Sequence, residues 1–265
     1  MKKQIYNNNL KINYTIEGSG SAVVLVHGFL ETSETWKDFA KELSQNHLVI
    51  SPDLPGHGES ELYKEPYSMC KYAESIYAII KAENISKVLL AGHSMGGYVA
   101  LAFAENYMFS LSGLCLFHSS PFADSEEKKK ARDETISRIE RGNKHLICSN
   151  HAKAVFADEN IPKFKNEIER GKKIANSISN AGIMASLKTM KGRIDRSDVL
   201  ETLIVPFLYI QGKKDRFISE DILQRINFPE DTTIEILENS GHMGMIEEKE
   251  KSLKIINDFC NKINN

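Results

Sequence analysis

The feature that most constrains this chain is the stretch 87–104, KVLLAGHSMGGYVALAFA. It opens as an apolar run of strand composition and closes as a helix of small residues. Between the two lies Gly92-His93-Ser94-Met95-Gly96, an instance of Gly-x-Ser-x-Gly. A strand that turns into a helix over so few residues holds its apical serine in a strained backbone conformation. Strand and helix also approach closely on either side of it, so only the smallest residues fit, which accounts for Gly92, Gly96 and Gly97. The turn sets the Ser94 hydroxyl at the C-terminal edge of a sheet and the N-terminus of a helix. Free N–H groups and the helix dipole favour a developing negative charge there.

The rest of the chain alternates strand and helix around this point. Residues 4–17 read as two short strands joined at Asn7-Asn8-Asn9. Residues 22–26 are a continuous apolar run, the pattern of a strand buried on both faces, and they end in His27-Gly28-Phe29-Leu30. A helix is expected over 34–43 with Thr32 or Ser33 as its cap, then a strand over 47–51, a Gly/Pro-rich loop over 53–60, a helix over 68–83 and a strand over 111–117. Such spacing implies right-handed crossovers and a mainly parallel sheet. From about 119 to 198 strand-like runs stop and charged, helix-periodic sequence replaces them; three to five inserted helices are expected. Lys128-Lys129-Lys130 within it reads as a solvated helix face. The α/β pattern returns with a strand over 205–211, a helix near 218–227, a strand over 232–237 and a closing helix over 246–262. The expected organisation is a core of 1–118 and 199–265 with a helical cap of 119–198.

The 265 residues, 41% of them hydrophobic, suffice for one large α/β domain with an insertion. A formal net charge of -2 supplies no basic face for nucleic acid or an anionic membrane. The N-terminus carries asparagines where a signal peptide needs an apolar core, and no run reaches bilayer-spanning length, so the expected compartment is the cytoplasm. Cys70, Cys115, Cys148 and Cys260 show no metal-binding or redox spacing and read as reduced thiols, Cys115 and Cys260 as small core residues. No metal-ligand set or dinucleotide fingerprint is visible, so no metal and no cofactor are expected. The expected partner is a small-molecule acyl substrate; the oligomeric state is left open.

A serine hydroxyl becomes a nucleophile only beside a base, and the base needs a third group to fix its tautomer. In an open parallel sheet the loops after the strands meet in one crevice. Two residues there have the right chemistry: Asp215 after the 205–211 strand and His242 after the 232–237 strand. Asp124 stands rather far beyond the 111–117 strand, and Asp195 and Asp198 read as surface or capping residues. Among the other histidines, His27 and His57 read as structural. His93 occupies the variable position beside the nucleophile, and His118 ends a strand near the site as a pocket or packing residue.

His27-Gly28-Phe29, the run DLPGHGES at 53–60, Gly92-His93-Ser94-Met95-Gly96-Gly97, Gly212-Lys213-Lys214-Asp215 and Gly241-His242 together resemble the serine-type, esterase-like members of the α/β-hydrolase superfamily. The similarity covers roughly 10–118 and 203–262. It implies a mostly parallel eight-stranded sheet flanked by helices, with an inserted helical cap. It also implies Ser94, Asp215 and His242 as catalytic residues and an oxyanion hole from the backbone N–H groups of Phe29 and Met95. One such donor is worth about 10²–10³ in rate. Leu30, His93, His118, Phe122, Phe156 and Met184 are the substrate-pocket candidates. The implied chemistry is hydrolysis of carboxylic esters or thioesters through an acyl-enzyme. A serine at 94 separates the chain from the aspartate-dependent epoxide hydrolases and haloalkane dehalogenases.

Two other readings stay open. One is a C–C bond hydrolase or a lyase of the menaquinone-synthase type. Those enzymes commonly carry arginine where Tyr98 stands, and convergence of Arg132, Arg138, Arg141, Arg170, Arg193 or Arg196 on Ser94 would point to an anionic substrate. The other is a ligand receptor with slow turnover.

Overall fold

The apolar runs pair into one eight-stranded sheet in the computed structural model, which describes residues 1–264. Strands β1 (Lys2–Asn7) and β2 (Leu10–Glu17) form a hairpin whose two turn residues, Asn8 and Asn9, both have positive φ. A two-residue turn of this hand needs that conformation, and asparagine tolerates it. After β3 (Ala22–Val26) the expected helix begins as a 3₁₀ turn capped by the Thr32 hydroxyl, then becomes α1 (Lys37–Leu43). Next come β4 (Leu48–Pro52), α2 (Met69–Ala82) capped by Ser68, β5 (Val88–His93), α3 (Met95–Tyr107) and β6 (Leu111–Phe117). Five helices follow before the next strand: α4 (Glu126–Glu140), α5 (Lys144–Ala154), α6 (Lys165–Ser177), α7 (Asn180–Lys191) and α8 (Ser197–Glu201). The chain ends with β7 (Phe207–Gly212), α9 (Glu220–Gln224), β8 (Thr233–Leu237), α10 (Gly244–Glu247) and α11 (Lys249–Asn264).

The strand order is β1-β2-β4-β3-β5-β6-β7-β8. β2 is antiparallel to both of its neighbours and every other pairing is parallel. Strands β3, β5 and β7 are buried along their whole length, as a parallel sheet covered on both faces requires. One face packs on α2 and α3 through Tyr72, Ile76, Val99 and Phe103; the other packs Trp36, Phe39, Ile256 and Phe259.

Two helices differ from their expected extents. α9 stops at Gln224 because the chain leaves the helical path to bury Ile226. The closing helix is broken into α10 and α11 where the Glu247 side chain turns back onto the Gly241 and Met243 amides.

The inserted helices lie on the loops that leave the strands. His151 of α5 meets Phe29 after β3, with ring centroids 5.6 Å apart. Ser186 of α7 bonds His57 after β4 at 3.2 Å, and the Val155 carbonyl accepts the His242 amide after β8 at 2.8 Å. Among the described residues no helix is long and apolar enough to cross a membrane.

Candidate active site

Ser94 sits at the β5–α3 turn with φ 52 and ψ -114. A non-glycine residue holds such a conformation only when its surroundings over-determine it. Its amide donates to the Phe117 carbonyl at 3.0 Å, and its carbonyl accepts from the Gly97 amide at 2.9 Å and the Ser119 hydroxyl at 2.8 Å. A Cβ at Gly92 would lie 2.3 Å from the Gly96 carbonyl oxygen, and one at Gly96 would lie 2.4 Å from that of Val26. The first turn of α3 therefore rests on the end of β3. That contact sets Met95 beside the His27-Gly28-Phe29 loop. As the first residue of α3, Met95 has one of the N-terminal amides that the helix itself leaves unused.

Asp215 and His242 leave adjacent strands, β7 and β8, and meet: His242 Nδ1 lies 2.7 Å from Asp215 Oδ2. His242 Nδ1 is thereby the donor, which leaves Nε2 as the basic nitrogen. The same oxygen accepts from Gln211 Nε2 and His118 Nδ1, each at 3.2 Å. The other oxygen accepts the Phe217 amide at 2.7 Å and the Ile218 amide at 3.2 Å. Burial alone would raise the Asp215 pKa, but the two imidazoles outweigh it and hold the carboxyl well below the ordinary carboxylate range. Among the described residues, His118, Asp215 and His242 are the one group with metal-ligand-type atoms mutually within 4.8 Å. In this arrangement the imidazole nitrogens facing Asp215 serve as hydrogen-bond donors to it.

Two of the expected pocket histidines lie elsewhere. His118 is fully buried at φ 52; its Nε2 accepts the Gly244 amide at 3.2 Å, and its Nδ1 lies between Asp215 Oδ2, at 3.2 Å, and the Gly212 amide, at 3.1 Å. His93 is also fully buried, between Glu31 and the His242 carbonyl. Polar rings taken from water must be satisfied internally, and these two are satisfied by the loops around the site, so neither faces a ligand. Phe122 and Met184 are half-buried against the core, Phe122 beneath the Arg225 guanidinium, and neither lines the cavity bordered by α1, α5 and α6. Leu30 and Phe156 do line it. It measures about 300 Å³, with Phe39, Val155, Phe164 and Met243 among its other walls. Ser94 and His242 are not in its wall; the loops bearing Phe29 and His242 reach it through Leu30 and Met243.

Several residues of the site carried no sequence signal. Phe217 lies with its ring 4.8 Å from that of His242, and His151 bridges Phe217 and Phe29 at 5.8 and 5.6 Å. Glu247 accepts the Gly241, Met243 and Ala157 amides and the Asn160 side chain, tying the His242 loop to the segment after α5. Asp53, by contrast, opens the 53–60 run that carries the family resemblance; it accepts the Ser33 and Glu59 amides and so organises that loop.

Four of the six inserted arginines are held by acids rather than facing Ser94. Arg132 and Arg193 pair with Asp124, Arg196 with Glu105 and Arg170 with Asp38. Arg193 does lie 3.9 Å over the Tyr98 ring, with its Nε donating to the Phe122 carbonyl and its Nη1 to Asp124 and the Met190 carbonyl.

His27 and His57 are buried in structural hydrogen bonds, His27 Nε2 accepting the Leu54 amide at 3.0 Å and His57 Nε2 facing the Ser186 hydroxyl at 3.2 Å. Burial lowers the pKa of His27 and of His118 to about 4 and that of His57 to about 3. Between pH 6.5 and 4.5 the unfolded chain therefore binds protons that the folded chain excludes, so stability falls as pH falls. Each such group contributes about 1.4 kcal/mol per pH unit, so the three together destabilise by several kcal/mol between pH 7 and 5. The Asp215 carboxylate adds a loss only below its unfolded pKa of about 3.9, outside this window. Urea midpoints at pH 7, 6 and 5 should decrease steadily; a flat profile would refute the neutral burial of these histidines.

A mostly parallel eight-stranded sheet, a strained serine at a strand–helix turn and an Asp–His pair at neighbouring strand ends define the α/β-hydrolase class. The chain belongs to the alpha/beta hydrolase fold family, whose model matches residues 21–249, and esterases are among the proteins it is similar to. A thermophilic esterase from Thermogutta terrifontis has a similar structure, with a TM-score of 0.94, 26% identity and full coverage of both chains. In sequence the chain is 29% identical over 262 residues to a pimeloyl-[acyl-carrier protein] methyl ester esterase of Wigglesworthia glossinidia brevipalpis, covering 95% of this chain and 98% of that one. It is 28% identical over 280 residues to a candidate 2-succinyl-6-hydroxy-2,4-cyclohexadiene-1-carboxylate synthase of Bacillus subtilis, covering 95% and 96%. The chain spans 28% of the length of the first curated relatives it matches, mycobacterial proteins 39% identical over 94 residues.

Proposed function

We propose that the protein hydrolyses carboxylic esters, or the corresponding thioesters, through an acyl-enzyme formed on Ser94, acting on a small-molecule acyl substrate in the cytoplasm. The observation that carries this reading is the 2.7 Å His242–Asp215 hydrogen bond beside the strained Ser94 turn. His242 Nε2 takes the hydroxyl proton as Ser94 Oγ attacks the carbonyl carbon. The Phe29 and Met95 amides bind the oxyanion, and His242 then protonates the departing alcohol or thiol. Water, deprotonated by the same nitrogen, attacks the acyl-enzyme; the acid leaves and Ser94 regains its proton. Asp215 stays ionised and orients the imidazole. The esterase likenesses support this chemistry. The synthase relative supports the C–C reading, but four of the six inserted arginines that could hold a carboxylated substrate are paired with acids.

Treatment with a fluorophosphonate, followed by mass mapping, tests the site: modification at Ser94 and competition by p-nitrophenyl esters are expected. Modification elsewhere, or no turnover across an ester and thioester panel, would overturn the reading.

In this scheme the 119–198 insertion is a cap and the cavity between it and the core takes the acyl chain. Gly171 lines that cavity, and a Cβ there meets only the Ala152 Cβ, at 3.7 Å. Gly171→Leu should therefore fold and partly fill the cavity. It should lower kcat/KM for p-nitrophenyl octanoate by roughly tenfold while leaving the acetate unaffected. Equal effects on both esters would put the acyl chain elsewhere.

A further inference from the structure

We propose that Glu31 and His93 form a buried ion pair that positions the loop bearing Phe29 and the loop bearing His242 against the nucleophile turn. The proposal rests on the ester-hydrolase reading of the site and assigns two positioning residues to it.

The proton inventory follows from the partners. His93 Nε2 lies 2.8 Å from the His242 carbonyl oxygen, which can only accept, so Nε2 carries a hydrogen. Nδ1 lies 3.1 and 3.2 Å from the two oxygens of Glu31, and one proton occupies that gap. Glu31 Oε2 also accepts the Gly28 amide at 2.8 Å, a bond that favours the ionised carboxylate. With the proton on Nδ1, His93 is an imidazolium and Glu31 its counter-ion. The electrostatics run the same way. Burial opposes both charges, yet the His93 charge and the Gly28 amide hold the Glu31 pKa at about 2, and Glu31 raises that of His93.

The groups that face His93 leave Glu31 as its close counter-ion. From neighbouring elements come the His242 ring, with centroids 4.9 Å apart, and the His118 ring, 5.9 Å apart; Asp215, His27 and His151 act from further off. His27 and His118 are held neutral by burial.

The pair sits where three parts of the site meet. Leu30 has φ 60, a conformation that a side chain of this size disfavours. The Glu31–Gly28 bond closes the turn around Leu30 and so fixes the direction of the Phe29 amide. A Cβ on Gly28 would lie 2.9 Å from His93 Nδ1, so loop and ring are in contact. His93 immediately precedes Ser94, and its second hydrogen bond fixes the His242 backbone. A brace of this kind acts on groups whose interactions strengthen in the transition state, so its loss lowers kcat more than it raises KM.

The test uses the intact protein. In ¹⁵N NMR spectra, one histidine, assigned as His93 by its disappearance in His93→Gln, should keep the doubly protonated pattern up to pH 8. In Glu31→Gln that pattern should give way to a single-proton one at pH 8. The same variant should lose about tenfold or more in kcat on p-nitrophenyl butyrate, with KM within about twofold. A singly protonated His93 in the unsubstituted protein, or an unchanged kcat in a folded Glu31→Gln, would overturn the proposal. Should Glu31→Gln fail to fold, the spectrum of the unsubstituted protein decides, with Glu31→Gln/His93→Gln, which carries no buried charge, as the activity comparison. The spectrum needs no substrate, so it reports on the pair even if the ester reading fails. An active esterase with neutral His93 overturns only the pair.

Discussion

Ser94→Ala should leave a folded protein whose turnover of p-nitrophenyl butyrate is lower by about 10⁵–10⁶-fold. The expected size reflects the loss of the acyl-enzyme route altogether; what survives is the modest acceleration that oxyanion donors and binding give to direct attack by water. Folding should persist because the bonds that fix the strained residue use its backbone: the Phe117 carbonyl, the Gly97 amide and the Ser119 hydroxyl. Alanine keeps the Cβ and so leaves Gly92 and Gly96 in the same contacts. The thermal midpoint and circular dichroism check the fold, and the steady-state rate checks the chemistry. Ester turnover within tenfold of the unsubstituted protein would place the nucleophile elsewhere.

The second large effect is expected at Asp215. Asp215→Asn should lower kcat by about 10⁴ with a smaller change in KM. An amide can still accept the Phe217 and Ile218 amides on one oxygen. On the other side it presents an NH₂ group to His242 Nδ1, which then becomes the acceptor and places the hydrogen on Nε2. That tautomer cannot take the Ser94 proton. Asp215 is also the acceptor for His118 and Gln211, so the substitution leaves the buried His118 without its acceptor. A loss of stability is therefore expected alongside the kinetic one. The two are separable, because tautomer exchange appears in kcat at temperatures where the variant is fully folded. Activity within tenfold of the unsubstituted protein would remove Asp215 from the proposed mechanism.

Both substitutions touch residues that sequence order alone singles out, while the brace at Glu31 and His93 has no such signature. The difference has a physical origin. A glycine forced by a 2.3 Å approach, two asparagines forced into positive φ at a hairpin, or an apolar run that must be covered on both faces are local requirements, and they are written in adjacent residues. So are the ends of strands, which is why Asp215 and His242 could be placed beside Ser94 from the order of elements. Which polar side chains satisfy one another in the interior depends on contacts between residues far apart in the chain. Glu31 meets His93 across 62 residues and His118 meets Asp215 across 97, and a histidine at a strand end looks the same whether it faces a ligand or a buried acid. The inserted arginines illustrate the same limit. Their convergence on Ser94 would point to an anion site, and only the tertiary structure pairs four of the six with Asp124, Glu105 and Asp38 instead.

The sequence by itself determined the sheet, the strained turn at Ser94 and the order in which Asp215 and His242 arrive, because each follows from local sterics and hydrophobic period. Only the tertiary structure decided that His93 and His118 are buried partners of acids, that Phe217 and His151 lie against the His242 and Phe29 loops, and that α5 and α6 border a cavity with Leu30, Phe39 and Met243. Those outcomes depend on desolvation: a polar ring or a carboxylate taken from water must find its partner among whatever groups the fold brings within about 3 Å.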